Sequence, residues 1–137
     1  MLEQEPEDAD KALDLLSEQA RKVIEVIPTK IVRELQTVPL WLSLPHERRR
    51  PRAEFHPDKG WLIDNGMIPD KEKCIGFTNT AFLDREVVRM PLLLLHELSH
   101  AYHNLVLGFE QPDMLHLYQK AKENGSYDLV GRKNREP

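Results

Sequence analysis

The sequence of 137 residues contains one cysteine, Cys74, which excludes a disulfide framework and a cysteine-rich zinc site. Because Cys74 stands between charged and apolar residues, we expect a half-buried strand residue and not a catalytic thiol. No apolar run approaches the length of a transmembrane helix, so the chain is predicted to have no membrane span. The formal net charge of −4 gives no indication of a nucleic-acid partner.

Charge is unevenly distributed along the chain. Residues 1–18 hold seven acidic residues against the single basic residue Lys11. An acidic N-terminus shows no signal peptide, although a secreted or envelope location stays open if a leader has been removed. The basic run over 46–52 is interpreted as a solvated loop or as a docking site for an acidic partner or the acidic N-terminus.

The overall composition is that of an ordinary globular protein, with 40% hydrophobic and 31% charged residues. The length predicts one domain, which we place over 9–137 after an acidic tail over 1–8. Apolar periodicity predicts helices over 9–27, 29–36, 58–65, 91–107 and 112–123, and short strands over 38–44, 52–56 and 74–78. We therefore expect an α+β fold in which a small mixed sheet packs on the helix over 91–107, with flanking helices at both ends.

The segment over 95–100 (LHELSH) carries an HExxH motif within the strongest predicted helix. Residues four apart share one face of a helix, so His96 and His100 can offer imidazole nitrogens to one metal ion. Zinc in catalytic sites takes such ligands and keeps one position open for water. The motif therefore predicts that His96 and His100 are zinc ligands and that Glu97 is the catalytic base.

This set of residues is suited to the hydrolysis of a peptide bond. Zinc activates water and polarises the carbonyl group that the water attacks. Glu97 lies beside the two ligands, so it can accept a proton from the water and pass it to the leaving amine. We therefore expect a zinc metalloendopeptidase that acts on a peptide or protein substrate.

An HExxH match can also arise by chance on a helix surface without any metal. The turn before the motif, over 92–95, is entirely apolar, which predicts a buried helix. Two histidines on a buried helix need polar partners, and a metal ion supplies one. This context favours a zinc site over a chance match without metal, and adventitious metal binding by a two-histidine helix stays a further alternative.

The residues around the motif carry a family resemblance. The segment over 94–103 (LLHELSHAYH), followed by Leu107-Gly108-Phe109, is similar to a bacterial family of zinc metallopeptidases. That family resembles the catalytic domain of anthrax lethal factor, a gluzincin. The segments FHP over 55–57, WLIDNG over 61–66 and SYD over 126–128 also look like it, so the resemblance covers residues 28–137. It implies a zincin-like fold with Zn²⁺ as the cofactor, and only the HExxH part is specific for chemistry.

The resemblance also implies a third zinc ligand, a glutamate on a later helix, and a nearby tyrosine that stabilises the oxyanion. No segment that matches this part of the family occurs between His100 and Pro137. We therefore expect that the domain over 9–137 stops short of the third ligand. Two histidines alone underfill the coordination sphere, so this chain by itself is expected to bind zinc weakly and to hydrolyse little.

Three other residues are candidates for the site. His103 shares a face with His96, but about 10.5 Å of helix separates them, which favours a supporting or substrate-facing role, or plain packing, over ligation. Glu123 follows His100 by 23 residues, near the spacing of thermolysin-like gluzincins, although a solvated charge at a helix end is the more common case. His56 could face the metal, but a strand-end histidine is more often structural.

Two further expectations concern the sheet and the core. In zincins, an edge strand above the active-site helix aligns the substrate by β-augmentation, and the strand over 74–78 is the candidate for this role. Trp41 and Trp61 are predicted to be core residues. The main alternative to a peptidase is a zincin-fold domain without hydrolytic activity that acts as a binding module.

Overall fold

A computed structural model describes residues 6–43, 52–108 and 110–125, which form a mixed α+β structure with a three-stranded sheet. The elements in chain order are α1 (Pro6–Val26), α2 (Thr29–Leu35), β1 (Leu40–Leu42), β2 (Arg52–Phe55), α3 (Lys59–Asp64), β3 (Ile75–Thr78), α4 (Leu83–Arg89), α5 (Leu93–Tyr102) and α6 (Pro112–Glu123). The chain divides into two compact units, Met1–Val106 and Leu107–Pro137. The combination of helices with a small mixed sheet confirms the predicted α+β class.

The first helix, α1, confirms the amphipathic pattern of the N-terminal region. It begins at Pro6, so the last residues of the predicted acidic tail are helical. Proline is tolerated there because the first turn of a helix needs no backbone N–H donor. Ala12, Leu16 and Val23 are buried at helical spacing and face the core, while the acidic residues stay on the outer face.

The sheet has the strand order β1-β3-β2, with β3 parallel to β1 and antiparallel to β2. Ile75 and Phe77 of β3 are 0% and 1% exposed and belong to the hydrophobic core. The prediction that this strand lies at an edge is wrong, because β3 has a neighbouring strand on each side. Among the described residues, β1 and β2 are the outer strands.

The helix α5 packs on the core face of the sheet and against α1. It buries Leu93, Leu94, Leu98 and Ala101. The buried side chain of Gln19 in α1 fixes its first turn, since Nε2 donates to the Pro91 carbonyl at 2.9 Å and Oε1 accepts from the Leu94 amide at 3.4 Å. The second bond satisfies the Leu94 amide, one of the N–H groups that a helix N-terminus otherwise leaves unpaired, and the first holds Pro91 ahead of the helix.

The predicted helix over 91–107 is divided at its C-terminal end. The α-helix ends at Tyr102, and a π-helical turn follows over His103–Leu107. Leu105 and Val106 in this turn are exposed. π-Helical segments occur frequently beside functional sites, and this one directly follows the HExxH motif.

The short helix α3 is capped by the residue before it, Asp58, whose side chain accepts a hydrogen bond from the Trp61 amide at 2.7 Å. Leu62 is fully buried, whereas Trp61 is 46% exposed. The prediction that Trp61 is a core residue is wrong, because the next residue of this short helix faces inward in its place. Trp41 is half-buried outside the core cluster, with the Lys71 ammonium 5.6 Å from its ring centroid.

The second unit contains α6, which agrees with the predicted helix over 112–123. Gln111 caps it by accepting from the Met114 amide at 2.8 Å, and no described residue of α6 is buried. Within residues 6–43, 52–108 and 110–125, no helix combines the length and apolar character that a membrane span requires. The basic run before Arg52 and the segment over 126–128 lie outside the described residues.

Candidate metal centre

His96 and His100 lie on successive turns of α5, and their side chains point to the same place. Their Nε2 atoms are 3.1 Å apart, and their ring centroids are 4.8 Å apart with the ring planes at 84°. Two nitrogens bound to one tetrahedral zinc ion at 2.0–2.1 Å are separated by about 3.3 Å. The histidine pair therefore fits two corners of a zinc coordination sphere.

The two histidines are exposed, which corrects one step of the sequence interpretation. The apolar turn over 92–95 predicts a helix that is buried all round, but α5 is buried on one side only. Leu94 and Leu98 face the core, whereas His96 and His100 face outward. The need of buried histidines for polar partners therefore does not support a metal site here, and the support comes from the geometry of the pair.

Glu97, between the two histidines, is 7% exposed, and its Oε2 accepts a hydrogen bond from the Phe55 amide at 3.0 Å. Burial raises the pKa of Glu97 above its ordinary value, because it disfavours the charged carboxylate. The hydrogen bond from Phe55 and the charges of His96 and His100 oppose this rise in pKa. The carboxylate is thus partly desolvated and tied to β2.

The Phe55 amide reaches Glu97 because it points away from β3. Phe55 pairs with Ile75 in the antiparallel register, and the next residue, His56, donates its own amide to the Cys74 carbonyl at 3.0 Å. Along an antiparallel strand, backbone groups alternate between the partner strand and the open side. Phe55 and Ala53 therefore direct their N–H and C=O groups to the outer edge of β2.

Sequence patterns did not predict the contact between Phe55 and Glu97. The two residues are 42 positions apart, and the donor is a backbone group that every non-proline residue carries. The periodicity of 52–56 predicts a strand but does not say which strand it pairs with. To predict this contact, one would need to know the order of the strands in the sheet, which the sequence alone does not supply.

Lys73 is a second residue that the sequence analysis missed. It has φ 62, a conformation uncommon outside glycine, and its ammonium group donates to Asn104 Oδ1 at 2.9 Å and to the Pro57 carbonyl. Pro57 follows β2, and Asn104 lies in the turn after α5. Lys73 therefore fastens the chain after β2 to the end of the helix that carries the histidine pair.

His56 lies on the face of the sheet opposite α5. The side chains of His56 and Gly76 share this face, and a Cβ atom added to Gly76 would stand 2.8 Å from His56 Nε2. The His56 ring is stacked on Trp61 with 6.1 Å between centroids, and the residue is 2% exposed. This placement favours a structural role for His56 over one facing the metal.

We predict that His56 makes the protein less stable in mild acid. Burial lowers the pKa of His56 below the ordinary 6.5; the negative charge of Glu54 opposes this effect, and the positive charge of Lys71 adds to it. The unfolded chain therefore binds a proton more readily, and the free energy of unfolding falls as the pH drops below about 6.5. One such group contributes at most about 1.4 kcal/mol per pH unit.

Urea unfolding of the wild type and of His56→Gln between pH 7.5 and 5.5 measures this effect. The wild type should lose stability toward acid pH more steeply than His56→Gln, in which this group no longer titrates. His116→Gln, at an exposed position of α6, should keep the wild-type slope. Equal slopes for His56→Gln and the wild type would contradict the prediction.

The roles proposed for His103 and Glu123 stay predictions. His103 is half-buried and begins the π-helical turn. Glu123 is the last residue of α6, in the second unit, and its carboxylate accepts from Gln119 Nε2 at 2.8 Å. In the described ranges, histidine, cysteine and acidic side chains form no group of three or more that could hold a metal ion.

Cys74 directly precedes β3 and is 5% exposed, so it is more deeply buried than predicted. Burial raises the pKa of its thiol, and the charge of Lys71 opposes the rise. A raised pKa keeps the thiol protonated, which is the unreactive form. This environment agrees with the expectation that Cys74 is not a nucleophile.

Comparison of the chain with models of protein families, with curated proteins and with solved structures gave no match. The likeness to the zinc metallopeptidases related to anthrax lethal factor therefore stays an expectation from the residues of the motif.

Proposed function

We propose that this protein is a zinc-dependent metallopeptidase of zincin-like architecture, with His96 and His100 as zinc ligands and Glu97 as the catalytic base. The observation that carries the proposal is the 3.1 Å separation of the two Nε2 atoms, next to a buried carboxylate on the same helix. This donor set matches the two nitrogens and the base that the chemistry requires. A zinc site of this kind also requires a third protein ligand.

In this proposal, each residue has a separate task. His96 and His100 would hold the ion, which when bound would supply the Lewis acidity that activates water and the peptide carbonyl. Glu97 accepts a proton from the attacking water on one carboxylate oxygen and delivers it to the nitrogen of the leaving amine. The partly buried position of Glu97 limits competition from bulk water for that proton.

We propose that the peptide substrate binds along the outer edge of β2 as an additional strand. Ala53 and Phe55 direct backbone groups to this edge, and Phe55 is in hydrogen-bond contact with Glu97. A peptide that adds to β2 by strand pairing would therefore lie beside the proposed base. The strand over 74–78, which the sequence suggested for this role, is central in the sheet and has no such edge.

Peptide hydrolysis by the natural full-length protein tests this function. The protein is incubated with a diverse peptide library, after treatment with a chelator and after return of zinc or, as a control, magnesium. We expect mass spectrometry to show cleavage that stops on chelation and returns only with zinc. Cleavage that survives complete removal of metal would contradict the proposal, and zinc-loaded protein that cleaves nothing would favour the non-hydrolytic binding module.

A further inference from the structure

We infer that the backbone amide of Phe55 is a positioning group that holds Glu97 in its working orientation. This inference rests on the proposed function and adds a second element, the strand β2, to the site on α5. Phe55 N–H donates to Glu97 Oε2 at 3.0 Å, and the two residues belong to elements that are packed together. The amide acts on the reaction through Glu97.

The geometry of β2 lets the Phe55 amide bond to Glu97 without the loss of any hydrogen bond between β2 and β3. His56, the next residue, uses its amide to bond the Cys74 carbonyl, so the Phe55 amide faces the open side. Phe55 is half-buried, and a backbone N–H group that is shielded from water needs an acceptor. The Glu97 carboxylate supplies this acceptor, and a bond to a charged acceptor is stronger than one between neutral groups.

A base in this position needs such a restraint. Glutamate has three rotatable side-chain bonds, and a base functions only within hydrogen-bond reach of the proton that it removes. The Phe55 amide fixes Oε2 and leaves Oε1 to take the proton. The charges of His96 and His100 act on the same carboxylate but do not by themselves select one of its orientations.

The contact also links the base to the proposed docking strand. Because β2 both presents outward backbone groups and holds Glu97, a peptide paired with β2 is placed in a fixed relation to the base. Lys73 stabilises this relation, since it joins the Pro57 carbonyl after β2 to Asn104 after α5. Positioning of this kind affects the catalytic step more than zinc binding.

A proline at position 55 removes the donor selectively. Proline lacks the N–H group and is tolerated on an outer strand where that group faces away from the sheet. Phe55→Ala is the matched control, because it removes the side chain but keeps the amide. We expect kcat for peptide hydrolysis to be about 10- to 100-fold lower in Phe55→Pro than in Phe55→Ala, with zinc affinity and KM within about threefold of each other.

Amide hydrogen exchange, followed by NMR, examines the contact without reference to activity. In Glu97→Ala, the Phe55 amide should exchange at least about tenfold faster than in the wild type, while the Ile75 amide in β3 keeps its protection. If Phe55→Pro does not fold, this exchange measurement still tests whether the Phe55 amide is bonded to Glu97. Unchanged exchange at Phe55, or equal kcat for Phe55→Pro and Phe55→Ala, would overturn the inference. Inactive zinc-loaded wild-type protein would instead overturn the proposed function.

Discussion

Replacing Glu97 with glutamine is expected to lower kcat for peptide hydrolysis by about 10²- to 10⁴-fold, the range that one general acid–base group contributes. Glutamine has the size of glutamate but cannot accept a proton from water at neutral pH. Its carbonyl oxygen can still accept the hydrogen bond from the Phe55 amide, so the fold and the contact with β2 should persist. Zinc binding should also persist, because His96 and His100 are unchanged.

Glu54→Gln is the matched control for this substitution. Glu54 lies one residue from Phe55 on β2, pairs with Arg52 at 2.9 Å and contributes negative charge near Glu97. Its removal tests whether loss of any nearby acid reduces the rate, and we expect a change of less than about tenfold. A wild-type rate in Glu97→Gln would exclude Glu97 as the base. Equal losses in the two variants would indicate a general electrostatic effect.

The second large effect is expected on zinc affinity. His96→Ala or His100→Ala should weaken zinc binding by more than about 100-fold. Loss of a residue that only hydrogen-bonds to a metal ligand already lowers metal affinity by about 10- to 100-fold, and loss of the ligand itself should lower it further. Both side chains are exposed, so their removal should leave the free energy of unfolding of the metal-free protein nearly unchanged. Competition with a chromophoric chelator measures the affinity of each variant.

His116→Ala provides the comparison for an exposed histidine outside the pair. It should bind zinc as tightly as the wild type does. If His116→Ala loses as much affinity as His96→Ala, zinc binds to surface histidines in general. If neither His96→Ala nor His100→Ala lowers the zinc affinity, the 3.1 Å distance between the two Nε2 atoms does not reflect a zinc site.

Local patterns in the sequence predicted most of the secondary structure. The spacing of Leu16 and Val23 is part of the apolar periodicity that predicted α1, and the helix predicted over 58–65 is found as α3, with Gly66 at φ 67 after its end. The HExxH spacing placed His96 and His100 on one face of a helix, as found. These features depend on interactions between residues a few positions apart, which the sequence displays directly.

Features that depend on distant residues were not predictable in the same way. The central position of β3 follows from its pairing with both β1 and β2. The residues of β3 do not by themselves indicate which strands lie beside it. The exposure of His96 follows from which side of α5 packs on the sheet. Trp61 is large and apolar, yet Leu62 beside it fills the buried place. In each case, packing between elements determined the outcome.

We propose above all that His96 and His100 together bind one zinc ion. Zinc-edge X-ray absorption of the zinc-loaded natural full-length protein tests it most directly, with the double variant His96→Ala/His100→Ala as the comparison. We expect imidazole nitrogens at about 2.0–2.1 Å from zinc in the wild type and the loss of this signal in the double variant. A spectrum with the same imidazole signal in both proteins would place the zinc elsewhere and contradict the account.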